Sequence, residues 1–351
     1  MENGQTVETT LLREQFSDVE AKPVLWLWPD RIPKGKLTIF SGPPDCGKTT
    51  VLIDLICRFT TRRDYPDGAA NATEPGEVLM LIAEDDVADT IKPRLIAAEA
   101  DVSRVSYLRA VQIRQRAKKQ ERALALDEDL ALLEDELRKN PGIGLLTIDP
   151  VSSYLGRADL NKEQELRRVL IPVRDVAERS GVTVIGLGHF NKRADVNALG
   201  RVSGAVAMSG VPRAVWTFGK SPTEDDVFLM QRGKLNVAAR TTGLRYRFGV
   251  KELPTGTAPL INWLGEETRS ADEILDLERN PEGKRQDKAA RFLAEYLADG
   301  AKPSTDILRE GARRGISRSA LFEAKKERGF SAERVNGRWF WMIESEPEVP
   351  F

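Results

Sequence analysis

Residues 42–49 read Gly-x4-Gly-Lys-Thr, and residue types at this spacing can bind phosphate. Two glycines let a loop curve closely around a phosphate, Lys48 can reach the β- and γ-phosphates, and the Thr49 hydroxyl can ligate Mg²⁺. The preceding run favours a strand and the following run a helix, so backbone N–H groups would point at the anion. The pattern predicts a site for ATP and Mg²⁺ formed by Gly42, Pro43, Pro44, Asp45, Cys46, Gly47, Lys48, Thr49 and Thr50.

Carboxylates end two other strand-like runs. One run closes on Asp149, which predicts a carboxylate beside the metal ion. Another closes on Glu84; we expect this strand to lie beside the phosphate-loop strand, with Glu84 as the general base that activates water. Simpler roles are open to both acids: Asp149 as a turn residue, and Glu84 as a solvated residue while Asp85 or Asp86 caps the next helix.

The single histidine, His189, follows the strand-like run 182–186. Open α/β sheets bind their ligands at the carboxyl ends of strands, so this position predicts a sensor of the γ-phosphate. A histidine packed for structural reasons is the alternative. Cys46, inside the loop, is interpreted as a small filler rather than a redox switch.

The elements that must position these residues alternate along the chain, which predicts an α/β fold with a mainly parallel sheet. The predicted strands are 37–41, 78–83, 145–148, 182–186 and 214–218, with 228–231 and 244–248 at an antiparallel edge. The predicted helices are 48–60, 86–100, 124–139 and 161–179, the last capped by Asn161.

Composition narrows the class of protein. A chain of 351 residues with 41% hydrophobic content can build one large domain and a small one. The formal net charge of -1 gives no overall basic excess, so any surface for nucleic acid must be local. Two cysteines form no disulfide framework or zinc pattern, the N-terminus lacks a signal peptide, and no apolar run approaches transmembrane length. We expect a cytoplasmic protein without a membrane partner.

The last quarter of the chain changes in charge. Residues 266–282 hold seven carboxylates against two arginines, which we interpret as a linker, whereas 284–344 hold fourteen Lys and Arg against nine Asp and Glu. The latter pattern is helix, turn, helix and hairpin, typical of a winged helix with 317–328 as recognition helix. We predict an N-terminal extension (1–23), a nucleotide-binding domain (24–265), an acidic linker (266–283) and a winged-helix-like domain (284–345).

Four motifs together resemble, in order and spacing, the RecA-like ATPases of the plasmid replicative helicase RepA type. They are Ala83-Glu-Asp with Arg94-Leu downstream, Thr147-Ile-Asp-Pro, Gly188-His-Phe-Asn-Lys and Gly233-Lys-Leu-Asn. The similarity covers about residues 24–250. It implies a RecA-like P-loop NTPase core that hydrolyses Mg·ATP, assembles as a ring, most often a hexamer, or a filament, and moves along single-stranded DNA.

The resemblance also assigns roles. Lys48, Glu84 and His189 would be catalytic in one subunit, with Asp149 at the metal, and Arg213 would be an arginine finger for the neighbouring subunit. Lys234 would assist in trans. An ordinary surface arginine before a strand is the alternative for Arg213.

A basic stretch follows His189. Lys192, Arg193 and Arg201 would face the central channel of such a ring and contact single-stranded DNA, although a solvated basic loop needs no ligand. A RecA-like core is complete without the C-terminal segment, which could bind duplex DNA, recruit a partner or cap the ring.

Three functions fit these patterns. The first is an ATP-driven DNA motor or remodelling ATPase acting in plasmid or phage replication or recombination. The second is a regulator that binds DNA through the winged helix and uses ATP only to control assembly. The third, a small-molecule kinase, accounts less well for His189 and Lys234.

Overall fold

The structure is a computed structural model that describes residues 13–115, 118–160, 162–189, 205–237, 241–279, 281–327 and 329–343. The strands in these residues are β1 Trp26–Trp28, β2 Ile32–Pro33, β3 Leu37–Gly42, β4 Glu77–Ile82, β5 Val105–Tyr107, β6 Val111–Gln115, β7 Lys118–Arg122, β8 Ile143–Asp149, β9 Thr183–His189, β10 Ala214–Lys220, β11 Phe228–Leu235, β12 Gly243–Leu253, β13 Gly256–Glu267, β14 Lys302–Pro303, β15 Phe330–Val335 and β16 Arg338–Ile343. The α-helices are α1 Lys48–Thr61, α2 Lys92–Ala97, α3 Leu126–Lys139, α4 Glu163–Ser180, α5 Ala205–Gly210, α6 Ala271–Arg279, α7 Pro281–Tyr296, α8 Ser304–Arg313 and α9 Arg318–Glu327.

Nine strands form the central sheet in the order β13-β12-β11-β10-β3-β9-β8-β4-β5. The six strands from β10 to β5 are parallel, and β11, β12 and β13 extend the sheet as an antiparallel edge. The predicted α/β class with a mainly parallel sheet is confirmed. Our expectation that β4 lies beside β3 is wrong, because β9 and β8 lie between them. A crossover helix can carry the chain past several strands, so neighbours in sequence need not pair.

All seven runs predicted as strands are strands, because short apolar runs suit strands buried on both faces. The predicted helix 86–100 is instead a π-helical turn, Val87–Ile91, followed by the shorter α2. The predicted cap Asn161 lies outside the described residues.

The core has two layers, one on each face of the sheet. Successive residues of a strand enter opposite layers, since side chains alternate along a strand. On β3, Ile39 packs with α3 and α4, whereas Phe40 packs with α1. On β10, Val215 and Trp216 divide in the same way. This two-sided burial holds the carboxyl ends of the parallel strands at one edge.

The predicted acidic linker is wrong in its structure, because most of it is the helix α6. Ala271, Ile274 and Leu275 are buried, at the spacing of one helix face, so the carboxylates occupy the other face. The elements α7 to β16 follow as what we call the C-terminal unit, with its own buried cluster and a three-stranded sheet in the order β14-β16-β15. Residues 13–25 are exposed. In the described part of the chain, the helices are all too short or too polar to cross a membrane.

Candidate active site

The phosphate loop connects β3 to α1 at the carboxyl edge of the parallel strands. Gly47 adopts a left-handed conformation, φ 82°, at the start of α1, where a residue without Cβ is least strained. The Lys48 ammonium group lies in the loop and donates hydrogen bonds to the carbonyls of Gly42 at 3.0 Å and Pro43 at 2.7 Å. The buried Lys48 is therefore held in the concave side of the loop.

Two aromatic residues of β12 support the loop from behind. The Tyr246 hydroxyl donates to the carbonyl of Cys46, and a Cβ at Gly47 would lie 2.8 Å from the Phe248 ring. Tyr246 and Phe248 are two residues apart, so they share one face of the strand. The antiparallel edge thus fixes the shape of the loop.

Thr49 and Asp149 meet across the sheet edge. The Thr49 hydroxyl donates to Asp149 Oδ2 at 2.8 Å. Burial raises the pKa of Asp149 to about 6; the Thr49 hydrogen bond opposes this shift, the negative charges of Asp85 and Glu84 add to it, and Lys48 opposes it. Three carboxylates therefore converge on one point, an arrangement that attracts a cation.

The segment after β4 separates the roles of its three acids. Asp86 caps the following turn, accepting hydrogen bonds from the backbone of Ala88 and Asp89, and Asp85 forms an ion pair with Arg94 at 3.0 Å. Glu84 is exposed to the cleft. Of the three acids, only Glu84 is left to act on water.

His189 ends β9, directly beside the last residue of β3. Burial lowers the pKa of His189, and the charge of Lys48 lowers it further, against the opposing effect of Glu84. Its Nδ1 is buried and has no hydrogen-bond partner in the described residues. A neutral imidazole therefore faces the same cleft as the loop.

These residues line one cleft of about 460 Å³. Of the predicted residues, it contains Pro44, Asp45, Gly47, Lys48, Thr49, Thr50, Glu84, Asp149 and His189. Gly42, Pro43 and Cys46 belong to the loop but do not line the cleft. Cys46 is buried, its thiol donates to the Pro43 carbonyl at 3.0 Å, and burial raises its pKa, as suits an inert filler.

Arg213 is not part of this cleft. It precedes β10, where Ala214 pairs with Thr38 at the opposite edge of the sheet from the loop. Its guanidinium lies 3.6 Å from a Glu178 carboxylate oxygen. Lys234 lies close by, and its ammonium donates to the carbonyls of Ser209, Gly210 and Pro212 at 2.9, 2.8 and 3.0 Å. Its three donors are thus used within the chain. Lys192, Arg193 and Arg201 lie outside the described residues.

The residues present fit Mg·ATP. Mg²⁺ commonly takes one or two carboxylates together with phosphate oxygens, and Thr49 with Asp149 offers the protein's share of such a set. The described residues contain no cluster of three or more His, Cys, Asp and Glu side chains arranged to hold a metal by themselves.

A phosphate loop at the carboxyl edge of a parallel sheet, with an acid at the metal position and another on the cleft wall, defines a P-loop ATPase with a RecA-like core. The chain belongs to the AAA_25 family, described as an AAA domain, whose model matches residues 5–195.

Two solved structures are similar to this chain. One is the ATPase domain of a helicase, which is 12% identical, with a TM-score of 0.46 over 61% of this chain and 82% of that one. The KaiC-like protein PH0186 from Pyrococcus horikoshii OT3 is 16% identical, with a TM-score of 0.45 over 68% of this chain and 99% of that one. No curated protein sequence matches the chain.

Sequence reasoning missed several residues that line or support the cleft. Phe248 and Pro259 line it, and Tyr246 lies behind it, although they are about 200 residues from the loop along the chain. The alternating aromatics of the predicted strand 244–248 were the only available signal. Arg94 belongs to a sequence motif that gives it no role, yet it also lines the cleft.

Proposed function

We propose that this protein is an ATP-driven motor that works on DNA as a ring, most simply a hexamer, in plasmid or phage replication or recombination. The observation that carries the proposal is the separation of Arg213 from the cleft. Thr38, beside the start of β10, is four residues from Gly42, which is roughly 13 Å along a strand. Arg213 can then complete a site only on another copy of the chain.

Each cleft residue has a role in this proposal. Lys48 and the loop amides bind the phosphates, and Thr49 and Asp149 hold the magnesium ion. Glu84 accepts a proton from the attacking water, and His189 senses the γ-phosphate. Arg213 of a neighbouring copy offsets the charge of the transition state once it leaves Glu178. Lys234 holds the loop before β10 and so positions Arg213 rather than acting in trans.

DNA enters the proposal through local basic surfaces, since the chain has no overall basic excess. We propose that Lys192, Arg193 and Arg201 contact single-stranded DNA in the channel. We also propose that residues 284–345 form a winged helix with α9 in the recognition position. The helix, strand, helix, helix and hairpin order from α7 to β16 supports this assignment.

Paired variants test the shared site. Lys48→Ala should abolish ATP turnover, and Glu84→Gln should keep ATP binding but lower turnover by roughly 10²–10⁴-fold, the usual share of a general base. Arg213→Ala alone should be inactive. A mixture of Lys48→Ala and Arg213→Ala should regain activity, because an intact cleft meets an intact arginine at some interfaces.

The matched control is a mixture of Lys48→Ala and Glu84→Gln, in which both defects lie in one cleft and no activity should return. Native mass measurement with and without ATP and single-stranded DNA gives the assembly. A persistent monomer with no complementation would remove the ring and Arg213 together. Turnover that single-stranded DNA fails to stimulate at low salt would count against the motor.

A second candidate, the ATP-switched DNA regulator, is favoured by one relationship. Arg245 on β12 hydrogen bonds to Glu224, which also pairs with Arg291 of the C-terminal unit, and the next residue, Tyr246, contacts the phosphate loop. A nucleotide-dependent shift of the loop would thus have a path to the C-terminal unit. Nucleotide-dependent binding to one duplex sequence, without DNA-stimulated turnover, would favour this function.

A further inference from the structure

We propose that one face of the C-terminal unit, formed by α9 and the β15–β16 hairpin, binds single-stranded DNA. This site is separate from the channel in the proposed motor, and its existence does not depend on ATP hydrolysis.

The first half of the face is a stripe on α9. Arg318, Phe322 and Lys326 are spaced by four residues, so they lie on one side of the helix, and all three are exposed. The Arg318 guanidinium lies 5.6 Å from the centre of the Phe322 ring. Cation and aromatic ring therefore form one surface.

The hairpin continues this surface. Phe322 meets Trp341 of β16 edge to face at 5.1 Å, and the Lys325 ammonium lies 5.6 Å from the Trp341 ring centre. Side chains two residues apart share a face of a strand, and so do directly paired residues of neighbouring strands. Trp339 therefore lies on the same face as Trp341, and Arg334, its partner on β15, lies there too.

The charges are distributed unevenly in the C-terminal unit. On α8, Arg309, Arg313 and Arg314 each pair with a carboxylate. In contrast, no carboxylate oxygen among the described residues lies within 4.0 Å of the charged nitrogens of Arg318, Lys325, Lys326 and Arg334. Glu333 pairs with Phe340 and so lies on the opposite face of the hairpin. The cations of this face are left to bind an external anion.

The aromatic residues decide which anion fits. Trp339 is 53% exposed and Phe322 is 44% exposed, although both are large and apolar. Bases stack on such rings in single-stranded nucleic acid, where their faces are free, while neighbouring cations bind the phosphates. In duplex DNA the base faces are already stacked on one another. Exposed rings flanked by unpaired cations therefore favour a single strand.

Fluorescence anisotropy of a labelled single-stranded 20-mer of thymidine tests this face, with full-length protein and no nucleotide. The background carries Lys192→Ala, Arg193→Ala and Arg201→Ala, which removes the proposed channel contacts. Trp339→Ala should weaken binding by about 5- to 100-fold, since stacking is worth ~1–3 kcal/mol per base. Arg334→Ala should weaken binding and lower the salt slope by about 0.7, the share of one phosphate contact.

The matched control is Arg338→Ala on the opposite face of the same hairpin, which should bind as tightly as the background. Circular dichroism shows whether each variant remains folded, and Trp339→Phe, which keeps an aromatic ring, should retain most of the affinity. Lys48→Ala should bind normally, so failure of the motor proposal would not remove this site.

Three results would overturn the proposal. Trp339→Ala and Arg338→Ala could weaken binding equally, which would show a nonspecific charge effect. Binding could prefer a duplex of one sequence and be insensitive to Trp339, which would identify a duplex reader. Absence of binding at low salt would leave the face as a surface for another protein.

Discussion

The hydroxyl of Tyr246 donates a hydrogen bond to the backbone carbonyl of Cys46 in the middle of the phosphate loop. Tyr246 is fully buried, and burial raises its pKa well above the ordinary value, so the phenol remains a donor across the working pH range. One hydrogen bond thus connects the antiparallel edge of the sheet to the loop that binds phosphate.

We therefore expect Tyr246→Phe to weaken both the fold and the loop. The variant leaves the buried Cys46 carbonyl without this donor, at a cost of about 1–3 kcal/mol. Urea unfolding should show this loss, and the KM for ATP should rise. Tyr107→Phe removes the same atom from an exposed tyrosine and should change neither quantity. Equal effects of the two variants would refute the role of this hydrogen bond.

Gly47→Ala should abolish ATP binding. Gly47 has φ 82°, and an added Cβ would lie 2.8 Å from the Phe248 ring. Gly68, at φ 81°, is the matched control, because its Cβ would meet nothing within 4 Å. Gly68→Ala should cost about 1–3 kcal/mol of stability through backbone strain alone and leave ATP binding intact. If calorimetry shows that Gly47→Ala still binds ATP normally, the loop does not depend on contact with β12.

Lys234→Met should lower ATP turnover more than ATP affinity. The substitution leaves the carbonyls of Ser209, Gly210 and Pro212 without their shared donor, which should cost about 1–3 kcal/mol and loosen the segment before Arg213. Steady-state kinetics and thermal unfolding measure the two effects. Lys22→Met, at an exposed position, controls for loss of a positive charge. Unchanged stability and turnover in Lys234→Met would show that the lysine positions nothing.

Glu267 should make stability depend on acid pH. Burial alone would raise its pKa, but hydrogen bonds from Arg269 and the charges of Arg269 and Arg291 outweigh burial and lower it from 4.5 to about 2. A depressed carboxyl pKa stabilises the fold above the unfolded value, and this stabilisation is lost as pH falls from about 4.5 through about 2. The shift corresponds to a contribution on the order of 3 kcal/mol at neutral pH.

Unfolding experiments with Glu267→Gln measure this contribution. The difference in unfolding free energy between wild type and variant should be largest above pH 5 and shrink as the pH falls below 4.5. Glu266→Gln changes the exposed neighbouring acid and should show no such trend. A difference that is constant with pH would mean that Glu267 acts through packing rather than charge.

The sequence by itself determined the local chemistry of the site. Gly42, Gly47, Lys48 and Thr49 lie within eight residues, so their spacing alone predicts a phosphate loop. Asp149 and His189 were predicted at strand ends because parallel strands present their carboxyl ends at one edge. The strands themselves were predicted because runs buried on both faces must be apolar almost throughout.

Only the tertiary structure decided which distant residues meet. The order of the parallel strands, with β9 and β8 between β3 and β4, depends on how the crossover helices pack, and no local pattern encodes it. The same holds for Tyr246 behind the loop, for Arg213 at the far edge, and for the helix α6 in a stretch that composition marked as a linker. Trp341 is buried while Trp339, two residues away, is half exposed, because the helices cover only one end of the hairpin. The sequence sets what each residue can do, whereas packing across the sheet sets what it touches.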